Sequence, residues 1–471
     1  MNAPRGALSL AALVPGHAVA HGFGARYDLP IPLSLYLTGA GLAVALSFVV
    51  LGLFLRAAPR ASSSVRIGRE PWAILLPLAR SVGVGVYLLV IGAGLLGVQN
   101  PLKNIAPVTV WALWWVGTAY VSALLGNVWA LVNPLDTLFA AADTLVAKLR
   151  RGATLELRWP YPHGLGVWPA ALLYLAFLWM EIVSDASDRP AAVAGALLAY
   201  SALTWLGMAL FGRRHWLQHG EAFSLVFGVL ARFAPLQLSV EGGRIGVALR
   251  PYAVGLLVRE PMDRSHVALV MILLASVSFD GFVETPAWAG LAAAAGDSPL
   301  VRTLGLLAAP ALFLGIFLLV CRMSAWCAHT ALRGMHRTSA WTTAGWLAGT
   351  LVPIAIAYHI AHYLSFLGMA AQYAIPLASD PVGRGWDLFG TVNHFVRPGW
   401  IDARMVWNTS VGAIVVGHVA AVYLAHAQSL RQYADRRAAL RSQYPMIGLM
   451  VGYTMLSLWI IAQPIVSSRF S

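Results

Sequence analysis

Four residues carry the chemistry that stands out in this sequence. The stretch SFDGFVETP sets Asp280 and Glu284 four positions apart, and AYHIAHYLSF sets His359 and His362 three apart. In a helix these spacings put each pair on one face. Two imidazoles and two carboxylates form the ligand chemistry of a zinc, manganese or iron site, with a spare carboxylate free to act as general base. On this reading Asp280, His359 and His362 ligate the divalent metal, and Glu284 is ligand or base. His394 closes the site from an outer loop as a second catalytic candidate. Glu181 and His418 are nearby ionisable groups that could join, although a buried, hydrogen-bonded core histidine is the simpler reading of His418. The competing reading of the whole set is structural, with Asp280 and Glu284 paired to histidines, Arg397 or Arg404 and binding nothing.

These residues matter because of where they lie. The 471-residue chain is 59% hydrophobic and only 11% charged, with a mean hydropathy of +0.70. That much apolar surface cannot be hidden in a soluble core, so the chain reads as a polytopic membrane protein. Its formal charge of +13 does not argue for nucleic acid, because the charges sit between apolar runs. The two cysteines, Cys321 and Cys327, fall in one segment placed on the cytoplasmic side, which removes any case for a disulfide framework.

Apolar runs of membrane-spanning length occur near 33 to 55, 72 to 98, 107 to 132, 166 to 183, 190 to 212, 266 to 285, 303 to 322, 341 to 368, 405 to 428 and 445 to 463. The expected fold is an all-α bundle of about ten spans. Basic clusters follow every odd-numbered span: Arg56 and Arg60, Arg150 and Arg151, Arg213 and Arg214, Arg333 and Arg337, Arg436 and Arg437. The opposite connections carry Asp185, Asp188, Asp297, Asp380 and Asp387. The positive-inside rule then puts the basic side in the cytoplasm of a bacterial inner membrane and the mature N-terminus in the periplasm. A charge within a span is costly and usually functional, which is why the sixth and eighth spans draw attention.

Two regions do not span. Residues 213 to 264 read as a cytoplasmic insertion, an amphipathic helix HWLQHGEAFSLVFGVLARF followed by a β-hairpin around Gly242 and Gly243. Within it His215, His219 and Glu221 read as solvated interfacial side chains. Residues 369 to 404 read as a periplasmic loop rich in Gly, Pro and Trp. Asn133-Pro134 reads as a helix stop and restart along the interface.

At the N-terminus, residues 1 to 20 have the layout of a signal peptide, with Ala18-Val19-Ala20 as the processing site. Cleavage there makes His21 the first residue, whose α-amine and ring nitrogen would chelate copper.

The stretches HGFGARYDLPIPLSLYL, GNVWALVNPLDTLF, FGVLARFAPL and VGHVAAVYLAH resemble a group of bacterial polytopic membrane proteins labelled fenitrothion hydrolase. The resemblance runs over most of the chain but rests on no mechanistic motif. It implies hydrolysis of an organophosphate triester, with a hydrophobic substrate reaching an outward-open pocket from the lipid. Trp288, Tyr358, Tyr363 and Trp386 are the expected aromatic lining of that pocket. Two other functions stay open: a transporter or permease, and a copper-handling protein built on His21. The apolar inner halves of the sixth and eighth spans argue against a transport path.

Overall fold

In the computed structural model the described residues are 29–55, 57, 65–68, 74–241, 244–330, 338–397 and 402–466. His21 and the Ala18-Val19-Ala20 tripeptide lie outside them. Among the described residues ten helices are long and apolar enough to cross a membrane. They are α1 (Leu33–Phe54), α2 (Leu75–Leu96), α3 (Ile105–Leu124), α4 (Trp129–Leu149), α6 (Pro190–Phe211), α8 (Arg264–Val283), α10 (Pro299–His329), α11 (Ala340–Ser379), α12 (Ala403–Gln432) and α13, which occupies Tyr444–Val466. Three shorter apolar helices complete the bundle: α5 (Trp168–Ile182), α7 (Ala222–Ala231) and α9 (Pro286–Ala295).

A multi-pass helical bundle is therefore what this composition produces, since a helix satisfies its own backbone polar groups where no water can. The helix starts are written in the sequence. Asp263 accepts from His266 N (2.9 Å), Ser339 from Thr342 N (3.0 Å) and Asp402 from Met405 N (2.6 Å) at the starts of α8, α11 and α12. Such side-chain acceptors satisfy amides that have no partner inside the helix.

Three expectations need correction. The third apolar run is divided: α3 ends at Leu124 and α4 begins at Trp129. Asn133 interrupts α4 and caps its second half by accepting from Leu135 N (2.9 Å), so the stop and restart is real. The helix α7 does not lie along a surface. Phe223 and Phe227 are buried against Trp114, Trp115 and Phe177, because this segment is apolar nearly all round and so belongs inside. The outer loop is shorter than expected, since α11 continues through Pro376 to Ser379. The loop folds back on that end, with Asp380 accepting from Arg384 N (2.9 Å) and Gly385 N (2.7 Å).

The hairpin forms as expected from Leu236–Glu241 (β2) and Arg244–Leu249 (β3), in antiparallel register with Leu236 opposite Leu249. A third strand, β1 (Val65–Gly68), pairs antiparallel with the other side of β3. It comes from the connection between α1 and α2 and was not legible as a strand.

Two helices form the centre of the bundle. In α11, 89% of the apolar stretch is buried, and in α8, 78%, against 17% in α1 and in α2. Only helices surrounded by protein can carry ionisable side chains away from lipid, and these two carry Asp280, His359 and His362.

Candidate functional site

Asp280, at the last turn of α8, is the hub. Its Oδ2 lies 2.8 Å from His362 Nε2 and accepts from the Tyr363 hydroxyl at 2.7 Å. The first contact is made either by a protonated Nε2 donating to the carboxylate or by a neutral carboxyl donating to Nε2. The same Tyr363 hydroxyl is 3.3 Å from Glu181 Oε1, on α5. A phenol has one proton and donates once. With that proton directed to Asp280 at ordinary hydrogen-bond length, the Glu181 contact is a full hydrogen bond only when Glu181 itself carries a proton. Two carboxylates, an imidazole and a phenol from three helices thus share a limited number of protons in an interior setting. The carboxylate side of Asp280 keeps 21% exposure, so the hub is not sealed.

Close approach of the helices depends on Gly281. A Cβ there would sit 2.7 Å from the Tyr358 hydroxyl and 3.0 Å from Ile460, so α11 and α13 come within reach of α8 only because this position is bare. Small residues let helices approach in this way inside membranes. On the other side of α11 the Tyr120 hydroxyl donates to the backbone carbonyl of Ile360 (3.0 Å), with that of His359 beside it at 3.2 Å, pinning α3 to the level of the cluster. A π-helical stretch, Thr109–Gly117, delivers Trp115 to the same place. Such stretches are common at functional sites.

The four sequence candidates separate. His362 and Asp280 meet. His359 is buried but turned toward aromatic rings, edge-on to Trp115 at 5.5 Å and to Tyr120 at 5.6 Å, and neither of its ring nitrogens has a hydrogen-bond partner. Glu284 caps the end of α8 and is exposed, without a hydrogen bond from its carboxylate to another described residue. His394 stands exposed in the outer loop, where its backbone N–H donates to Thr391 O (2.9 Å). A helical face brings residues to one side but does not bring them together. His362 bonds to Asp280, whereas His359 makes no hydrogen bond and packs against the Tyr363 ring at 4.7 Å with Trp115 and Tyr120 edge-on to it.

Among the described residues no three His, Cys, Asp or Glu side chains form a group that would hold a metal ion. Of the four candidates, Asp280 and His362 are the two that meet, and they already bond to each other. Two donors already bonded to each other do not fit a resident divalent metal. The expected aromatic pocket is not assembled either. Trp288 packs edge-on against Phe279, Tyr358 and Tyr363 are buried, and Trp386 is exposed in the outer loop. Arg397 does not pair with Asp280 or Glu284; its backbone N–H donates to Gln372 Oε1 at 2.9 Å.

The residues missed by sequence reasoning lie deeper. Ser278 Oγ is hydrogen-bonded to the Tyr453 hydroxyl of α13, and the Tyr453 ring lies 5.8 Å from the His418 ring of α12. His418 is buried as expected, with Nδ1 donating to Ile414 O at 2.8 Å, and its Nε2 has no partner. Toward the basic end, buried His426 meets Gln443 Oε1 (2.9 Å) and Leu55 O (3.0 Å). Polar groups therefore occur at successive depths, supplied by α12 and α13 where α8 and α11 are apolar. A lone tyrosine or serine in an apolar span gives little signal without its partner.

No family model, curated protein or solved structure matches this chain.

Proposed function

We propose that this is a proton-coupled membrane transporter whose proton-binding centre is Asp280, shared with His362, Tyr363 and Glu181. The observation that carries the reading is the single Tyr363 hydroxyl lying between two interior carboxylates. Ionisable groups inside a membrane that pair with one another are the usual mark of a proton relay or ion pathway. The argument against transport drawn from the apolar inner halves of α8 and α11 loses its force, because Tyr453, His418 and His426 supply polar groups at those depths from other helices. The proposed setting is a bacterial cytoplasmic membrane with the basic connections inside and the cluster in the outer half.

A second reading is favoured by one contact, the His362–Asp280 hydrogen bond. A carboxylate that orients an imidazole is the arrangement used to activate water as a nucleophile, and hydrolysis of an apolar ester or phosphotriester arriving from the lipid would use it.

One preparation tests both. Proteoliposomes with a trapped pH indicator, placed under an imposed potential, should pass protons with the wild-type chain and not with Asp280→Asn. The same vesicles given fenitrothion report phenol release. Proton flux that persists in Asp280→Asn sinks the transport reading. Phenol release that depends on His362, without proton flux, replaces it with the hydrolase.

A further inference from the structure

A cavity of about 270 Å³ lies between α8, α10, α11 and α13, apart from Asp280 and its partners, none of which line it. Its inner wall is formed by Met271, Phe317, Ile354 and Met450, all buried. Its mouth is flanked by Ile316 and Leu456, which are exposed on the outside of the bundle about midway along their helices. In a bilayer that depth is hydrocarbon.

Two glycines keep this space open. Gly448 and Gly452 are one turn apart on α13, both line the cavity, and a Cβ at either would meet nothing within 4 Å. At some glycines of this protein a Cβ would collide with a neighbouring helix, as at Gly417, 2.3 Å from the Ala357 side chain, whereas at others, such as Gly39 and Gly315, it would meet nothing. At Gly448 and Gly452 no helix takes the space. Glycine weakens a helix interior relative to alanine, and empty apolar space forfeits dispersion contacts in proportion to its volume. Filling the cavity restores those dispersion contacts. Water does not fill it, since an apolar cavity stays dry, and one of roughly 150 Å³ already accepts a benzene ring.

We infer that the cavity is a binding site for one acyl chain of a bilayer phospholipid, entering sideways between Ile316 and Leu456. The lining offers no partner for a headgroup. Its one polar side chain is Tyr453, whose hydroxyl is engaged by Ser278 Oγ. The polar head of a lipid cannot reach mid-bilayer, so only the chain enters. This site is independent of proton binding and stands whether or not Asp280 titrates.

The test uses the full chain in phosphatidylcholine proteoliposomes containing a phosphatidylcholine with a diazirine at the methyl end of one acyl chain. After photolysis, peptides carrying Phe313–Phe317 and Gly448–Leu456 should be labelled about tenfold more than peptides of lipid-facing α2, a ratio that corresponds to about 1.4 kcal/mol. In Gly448→Leu/Gly452→Leu the excess should vanish while the labelling of α2 is unchanged. If that variant loses its thermal transition, Leu456→Trp at the mouth should lower the labelling without filling the interior. Labelling of the cavity peptides at the α2 level in wild type, or undiminished labelling in a folded filled variant, would overturn the assignment.

Discussion

Glu221 and Asp280 are both carboxylates inside the bundle, and their surroundings differ in one respect. Glu221, wholly buried at the start of α7, accepts from Ser224 N (2.7 Å), Phe223 N (3.0 Å), Trp129 Nε1 (3.3 Å) and the Tyr200 hydroxyl. Those donors belong to elements whose positions are set by the fold. Asp280 also meets a phenol, as Glu221 does, but its other partner is an imidazole and its phenol touches a second carboxylate. The first arrangement satisfies a charge permanently. The second leaves the location of a proton open, and that distinguishes a structural carboxylate from one suited to chemistry.

The contrast breaks most visibly at Glu221. Glu221→Ala strands several buried donors at once and should destabilise the protein by about 3 kcal/mol or more. Thermal unfolding in detergent reads this directly; an unchanged transition would remove the structural role. Gly281→Ala comes next. Its methyl would overlap the Tyr358 hydroxyl, and an overpacked core of this kind loses about 1–3 kcal/mol. Proton binding should weaken with it, because α11 is displaced from α8. A folded, fully active Gly281→Ala protein would show that the cluster tolerates a looser fit.

His359→Leu should stabilise by about 1 kcal/mol, since it removes a buried imidazole whose nitrogens have no partner. A loss of stability instead would mean that a ligand or water occupies that corner. The smallest effect on stability belongs to Asp280→Asn, less than about 1 kcal/mol, because the amide oxygen still accepts from His362 and Tyr363. Proton flux should nonetheless disappear. The comparison predicts that Glu221→Ala and Asp280→Asn fail in opposite ways, one losing the fold and the other losing activity in an intact fold.

The architecture was legible from composition and hydropathy alone, since a chain this apolar has few alternatives to a helical bundle, and the alternating pattern on either side of Gly242-Gly243 announced its hairpin. The interior placement of α7 was less accessible because its polar neighbours Arg213, Arg214 and Glu221 suggested an interface. Glu221 is buried through hydrogen bonds from α4 and α6, which no local pattern contains. At the site, Asp280 and His362 were found from the rarity of ionisable residues in spans. Tyr363 was legible only as a hydrophobic lining residue, and its bridging role depends on Glu181 arriving from α5. Matched depth on two helices did not determine rotation about their axes. That is why His359 and Glu284 part from the pair.

The strand β1 pairs with β3, which is synthesised long after it. Val65–Gly68 emerges between the first two spans, and its partner Arg244–Leu249 appears only when α3 to α7 have followed. Domains form largely in the order of synthesis, but this sheet cannot close in that order. The first hairpin of spans must wait in the membrane with an unpaired strand at its tip. Completing the sheet then ties the connection between α1 and α2 to the segment that directly precedes α8.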